Sequence, residues 1–400
     1  MSVNNLGFEQ AAAILKTVVQ QATGQSNIAN IDESNFVSVA QSALLQGYDP
    51  MLTAISQVLS STIFSVRPYY AKLRGLQVDN ERYGAHVRKI NMLDPEIDDD
   101  SRFDAIGNFS VDMYQAQQMK AVQTNFYGAN TYERGYKIYR DQVDSAVTGA
   151  GQWNNFIAAW VQNATDSLEQ YREQFTRITL LNLVGGLAAG HGGANSVIHV
   201  LTEYQTATGN STITAANYKS AAEFPDFVKW LYARINTAMR FLSERTALYH
   251  APAYDINGNA ATIMRHTPRQ DLRVYLNTEL SELIATSVMS AAFNERFISI
   301  GDYDTINYWQ NPGDPLGINV TGSYESGSGV TTFTYDSSAS GSAPVLGVMM
   351  DREAAGLTYV NQWQAMTPFN SRGGYTVDWF HETVRWWNDF TENGIVLLLD

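Results

Sequence analysis

The 400-residue chain contains no cysteine, which excludes a disulfide scaffold, a thiolate metal site and a thiol nucleophile. No apolar run approaches the roughly 20 residues that a membrane-spanning helix needs. The first residues, Met1 to Gly7, lack the basic start and apolar stretch of a secretion signal, so the chain is expected to fold in the cytoplasm. Charge is scarce as well: Asp, Glu, Lys and Arg make up 16%, while aromatics reach 12%. The net charge of −14 argues against a nucleic acid read directly over most of the surface. Few charges with many aromatics suggest a surface covered by other copies of the chain. The hydrophobic fraction, 44%, is that of a folded protein long enough for two or three compact units.

Residue patterns that carry chemistry are equally thin. The six histidines, at 86, 191, 199, 250, 266 and 381, have no metal-ligand spacing. Gly185 to Gly193 lacks the Lys-Ser/Thr ending of a phosphate loop and follows a helical pattern, so it reads as a hinge or turn. The Gly/Ser stretch Gly322 to Gly329 lacks the strand-turn-helix setting of a nucleophile elbow. Asp378, Glu382 and Asp389 lie among tryptophans, as in a glycosidase cleft. On one strand face, however, Asp378 and Glu382 would stand about 13 Å apart, too far for the usual carboxylate pair. No enzyme activity, metal or cofactor is expected.

What is present is one dominant periodic stretch, Trp153 to Val184. Trp153, Phe156, Ile157, Trp160, Ala164, Leu168, Tyr171, Phe175, Ile178 and Leu181 recur in steps of three and four. Gln162, Asp166, Glu169, Glu173 and Arg177 occupy the opposite face. The pattern predicts a single amphipathic helix roughly 45–50 Å long, stopped by Gly185-Gly186, with its apolar face covered.

Before it, residues 1–65 read as short helices with no dominant face, including one opened by Asp49-Pro50. Then Arg67, Lys72, Arg74, Arg82, Arg88 and Lys89 fall within 23 residues of a chain with only 26 Lys and Arg. Asp94, Glu96, Asp98, Asp99, Asp100 and Asp104 follow at once. A long excursion, basic on one limb and acidic at its turn, suits an intermolecular clamp whose opposite charges set register; a solvated surface hairpin is the plain alternative. Phe103 to Tyr114 suggests the return strand, and Tyr132, Tyr136 and Tyr139 lead into the long helix.

After it, a helix is predicted from Ser220 through Leu242, with Pro225 in its first turn. A β-α-β pattern follows, with strands at Leu272–Leu276 and Phe297–Ile300 around a helix from Glu279 to Phe293. Residues 321–343 read as an exposed hairpin, and Val345–Met350 and Leu357–Val360 as strands. Tyr375, Val377, Trp379, Val384 and Trp386 alternate along a further strand, with a bulge expected at Phe380 or Trp387. Asn393-Gly394 predicts a tight hairpin to an apolar strand, Ile395 to Leu399, giving a two-stranded ribbon under the long helix.

This order of parts resembles the major capsid proteins of tailed bacteriophages, of the small podovirus type, which share the Johnson fold with herpesvirus capsids. Asp351, Tyr359, Asn370-Ser371-Arg372-Gly373, His381 and Ile395 to Leu398 are similar to the last peripheral strands of that family. Arg269 to Asn277, Ala291-Ala292-Phe293-Asn294 and the strand at Phe297 are similar to its axial core. The resemblance implies an α+β fold with an N-terminal arm over 1–65, an extended loop over 66–127 and a peripheral domain with the spine helix over 128–190. An axial domain over 191–350 and a peripheral β-ribbon over 351–400 would complete it. It implies a shell of hexamers and pentamers around double-stranded DNA that is held without sequence-specific contact, built in the host cytoplasm with a portal and no membrane. A separate scaffolding protein is expected, because no long charged segment precedes the arm, and no immunoglobulin-like addition follows the last strand. Inter-subunit contact is expected from Arg67, Lys72, Arg74, Arg82, Arg88, Lys89, Asp94, Glu96, Asp98, Asp99 and Asp100. A bacterial encapsulin-type compartment of the same fold and a glycan-binding protein or glycosidase are the alternatives.

Overall fold

The computed structural model describes residues 15–16, 19–20, 36–44, 73–77, 87–93, 120–146, 150–219, 222–255, 257–282 and 304–400. In chain order it contains helix α1 (Phe36–Leu44), strands β1 (Val87–Met92), β2 (Ala121–Phe126) and β3 (Ala129–Tyr139), and helices α2 (Arg140–Ala146) and α3 (Ala150–Ala188). Next come β4 (Val197–His199), α4 (Val200–Thr208), α5 (Phe224–Leu242), β5 (Ala253–Tyr254), β6 (Ala260–Ala261) and β7 (Leu272–Asn277). The chain ends with β8 (Asp304–Ile306), β9 (Asn319–Ser326), β10 (Gly329–Asp336), β11 (Val345–Asp351), β12 (Ala355–Met366), β13 (Tyr375–Asn388) and β14 (Gly394–Leu398). The fold is α+β.

The centre is a five-stranded sheet in the order β4-β14-β11-β7-β8. Its inner strands β14 and β11 are almost wholly apolar and buried throughout because both of their faces are covered. On one side Leu272, Val274, Leu276, Ile395 and Leu397 meet α4 and the α5 stripe of Phe227, Val228, Leu231 and Ile235. On the other, Tyr275, Val348, Val396 and Leu398 meet the end of α3, Trp309 and the β9-β10 hairpin. Trp309, 1% exposed, donates its Nε1–H to the Val345 carbonyl at 2.7 Å. The β-α-β expectation finds β7 parallel to β8 at 304–306; the predicted strand at 297–300 and most of its helix lie outside the described residues. The hairpin predicted at 321–343 is formed by β9 and β10, but Phe333 and Tyr335 are buried over α3 and not exposed.

The second sheet, β12-β13-β3, is antiparallel throughout. Two sequence expectations fail here. Asn393-Gly394 is not a hairpin between β13 and the last strand: β13 pairs with β12 and β3, while β14 joins the central sheet between β11 and β4. The physical reason is burial. Ile395 to Leu398 is apolar on both faces and needs a strand position covered on both, which a two-stranded ribbon cannot supply. The irregularity lies on β12, at Val360 between the pairs Tyr359↔Val384 and Asn361↔Thr383, and not at Phe380 or Trp387.

Helix α3 crosses this sheet and enters the core. Its 39 residues make it about 58 Å long at the usual rise. It runs through Gly185-Gly186 and stops at Gly190, whose φ of 83° supplies the left-handed cap. The two glycines serve close packing instead: a Cβ on Gly185 would lie 2.2 Å from Val320 Cγ2, and one on Gly186 would lie 2.3 Å from Phe390 Cζ. The buried face also differs from the prediction. Glu169 and Glu173, assigned to the polar surface, are 5% and 9% exposed, whereas Tyr171 and Ile178, assigned to the core, are 40% and 53% exposed. The sheet under this part of α3 presents Thr376, Asp378 and Glu382, so the matching helix face is polar too.

Candidate functional site

Strands β1 and β2 form a two-stranded ribbon, Val87 opposite Phe126 at one end and Met92 opposite Ala121 at the other. One face, with Asn91 and Val122, packs toward Ala253 and Ile263. The other shows Arg88, Ile90 and Met92 to solvent, with Ile90 60% and Met92 57% exposed. Such a ribbon is marginal by itself and needs an anchor.

Lys89 supplies the anchor. Its Nζ donates to Asp389 Oδ2 at 2.9 Å and to Glu392 Oε1, and stands 3.2 Å from Glu353 Oε2. Arg265 Nη2 meets the same Glu392 at 2.9 Å and donates to Asn91 Oδ1 at 2.8 Å. The acidic turn is shaped locally, because Asp389 Oδ1 accepts from the Thr391 N–H at 2.9 Å and from its hydroxyl at 2.6 Å. Burial pulls the Lys89 ammonium down, but Asp389 and Glu392 outweigh it and hold the group above its ordinary value. Burial pushes the Glu392 carboxyl up to about 7, with Lys89 and Arg265 opposing. Lys89, predicted to reach a neighbouring subunit, is thus engaged within its own chain, some 300 residues away in sequence.

Of the other residues singled out by sequence, Arg88 lies exposed on the outer ribbon face and Arg74 belongs to the short turn Arg74–Leu76. Arg67, Lys72, Arg82, Asp94, Glu96, Asp98, Asp99 and Asp100 lie outside the described residues. Sequence reasoning missed Arg265, Glu353, Asp389 and Glu392 as partners of this ribbon. A periodicity search has no means of pairing groups that far apart.

A second polar node joins α3 to the sheet. Glu382, 4% exposed, accepts from Arg172 Nη2 at 2.7 Å and from Tyr132 and Gln362. Arg172 also donates to Glu169 at 3.1 Å and lies 5.0 Å over the Tyr359 ring. Burial pushes the Glu382 carboxyl up to about 8 even with the guanidinium beside it. On the opposite face of the sheet Trp363 stacks on His381 at 3.8 Å, next to Trp379. Trp379 lies flat over Gly135, where a Cβ would come within 3.1 Å of the indole.

Neither node lines up a nucleophile with a base. Among the described residues no three His, Asp or Glu side chains are grouped to hold a metal ion, and no helix is long and apolar enough to cross a membrane. What the surfaces offer is adhesion: an anchored ribbon with an apolar and basic outer face, and a sheet with an aromatic one.

A family model described as "Phi29-like phage major capsid protein" matches residues 12–398. No curated protein matches the chain. Among solved structures, the capsid of Staphylococcus phage Andhra is similar at 11% identity, with a TM-score of 0.51 over 84% of this chain and 86% of that one. A structure of native bacteriophage P68, describing its head fibre and inner core protein, is similar at 10% identity, with a TM-score of 0.52 and the same two coverages, 84% and 86%. At these identities the structural likeness concerns the fold alone.

Proposed function

The chain belongs to the Phi29-like phage major capsid protein family, and on that premise we propose how its parts divide the work of building a shell. As a member of that family it is a structural protein that self-assembles into the icosahedral capsid enclosing the phage double-stranded DNA. Membership places it with phage heads and not with bacterial cargo compartments or glycan-active proteins. In our reading residues 1–65 are an arm and 66–127 an extended loop that lies on a neighbouring subunit. Residues 128–190 and 351–400 form the peripheral domain around α3, and 191–350 the axial domain near the capsomer centre. Hexamers and pentamers would form around a separate scaffolding protein and a portal, in the host cytoplasm. The acidic chain would hold the genome without sequence-specific contact, since like charge limits adhesion to phosphates.

The observation that carries the loop assignment is the anchored ribbon. Lys89 and Arg265 fix its base to Glu392, while Arg88, Ile90 and Met92 face outward and are exposed among the described residues. Arg88, and with it Arg67, Lys72, Arg74 and Arg82, would meet acidic groups of the neighbour, and Asp94, Glu96, Asp98, Asp99 and Asp100 would meet basic ones. Changing Arg82→Glu and Arg88→Glu together is expected to leave the monomer folded by circular dichroism and to prevent shell formation seen by electron microscopy. Normal shells from that variant would remove the clamp role.

A further inference from the structure

A cavity of about 890 Å³ opens where the ribbon base meets the body of the protein. Five of the chain's 26 Lys and Arg side chains line it, although the net charge of the chain is −14. Two of the five, Lys89 and Arg265, form its neutralised floor with Glu392. Arg88, Arg245, Arg352 and His266 stand around it as exposed side chains. Among the described residues Arg88, Arg352 and His266 make no side-chain hydrogen bond or ion pair. Phe126, Met264 and Trp387 complete the walls and would shield ion pairs formed inside from water.

We propose that this cavity is the receptor for the acidic tract Asp94 to Asp100 of a neighbouring copy of the chain. The proposal rests on the reading of residues 66–127 as an inter-subunit loop. Three observations select this occupant. The tract carries five carboxylates, Asp94, Glu96, Asp98, Asp99 and Asp100, interrupted by Ile97, which suits a basic rim above apolar walls. The described strand that precedes the tract in sequence also leads away from the cavity. Val87 to Lys89 line it, and β1 continues from there to Met92, about 10 Å farther along the strand. Finally, the lining includes the carboxylates of Asp271, Asp351, Glu353 and Glu392. They disfavour a phosphodiester, which brings charge at every step, more than a peptide whose carboxylates can choose positions. The cavity would therefore act as a register lock, engaged only when the next copy is seated.

The test is a charge swap in the full chain. Arg245→Glu with Arg352→Glu, and separately Asp98→Lys with Asp99→Lys and Asp100→Lys, should each lower shell yield about ten-fold or more while the monomer keeps its melting temperature. All five changes together should restore shells. Normal shells from either set alone, or no rescue from the combination while each chain folds, overturns the proposal. Normal shells from the arginine variant that lose packaged DNA would assign the cavity to phosphate and overturn it equally. Should a reversed chain fail to fold, the absence of cysteine permits a second measurement. Shells co-assembled from His266→Cys and Asp99→Cys chains should give a disulfide-linked dimer after oxidation, and shells without that dimer also overturn it. The loop reading fails separately, if Arg67→Glu with Arg82→Glu assembles normally. If that variant is blocked while the cavity variants assemble, only the cavity assignment falls.

Discussion

The two large sheets are held by opposite kinds of force. In the five-stranded sheet Val348, Val396 and Leu397 are fully buried, and the strands contact helices on one side and α3 with the β9-β10 hairpin on the other. In the three-stranded sheet the residues beneath α3 include Thr376, Asp378 and Glu382, and the helix answers with Glu169, Arg172 and Thr176. Hydrophobic burial is non-directional, scales with area and involves no titrating group, so the first contact is independent of protonation. A charge-assisted contact is directional and depends on protonation. One helix therefore spans a core that resists change and a sheet whose grip can be titrated.

The largest effect is expected in the apolar half. Leu397→Ala removes a fully buried side chain between β11 and β4 and should cost about 2–5 kcal/mol, at all pH values where the chain folds. Denaturant unfolding of the unassembled chain measures it. A cost under about 1 kcal/mol would mean that the central sheet repacks freely, and the contrast between the two halves would weaken.

A smaller effect is expected where the halves join. Gly186→Ala places a methyl 2.3 Å from the Phe390 ring, inside the turn that leads from β13 to β14. The ring or the turn must move, at about 1–3 kcal/mol, and the melting temperature should fall although alanine is the better helix former. A rise would show that the Phe390 ring yields and that close packing does not require a glycine at 186. This residue pair illustrates how far the sequence can be read. The existence of α3, α5, β7, β11 and β14 follows from periodicity and apolar runs. The end of α3 does not, because a glycine pair looks the same whether it stops a helix or admits a neighbour. The buried face of α3 was hidden for a related reason: Glu169 and Arg172 look solvent-facing until Glu382, 210 residues from Arg172, is brought beneath them. The ribbon was legible from its sudden concentration of charge, but its anchor on Asp389 and Glu392 depends on contacts of 300 residues and more.

The smallest effect at low pH, and the most specific, belongs to Glu382. Its folded value of about 8 lies above the ordinary 4.5, so the folded chain retains a proton that the unfolded chain releases. The stabilisation is complete below about pH 4.5 and is lost as pH rises through about 8. Glu392, at about 7, adds loss of the same sign over a narrower window. Below about pH 4.5 the Glu382 carboxyl is neutral in both the folded and the unfolded chain, so Glu382→Gln keeps its shape and its acceptor for Arg172, and stability there should change by about 1 kcal/mol or less. The variant should instead flatten the decline between pH 4.5 and 8, leaving the part due to Glu392. Urea unfolding across that range is the measurement, and it separates the halves: Leu397→Ala should shift the whole curve downward without altering its slope. An unchanged slope in Glu382→Gln would remove the titratable grip from the contact between α3 and the sheet.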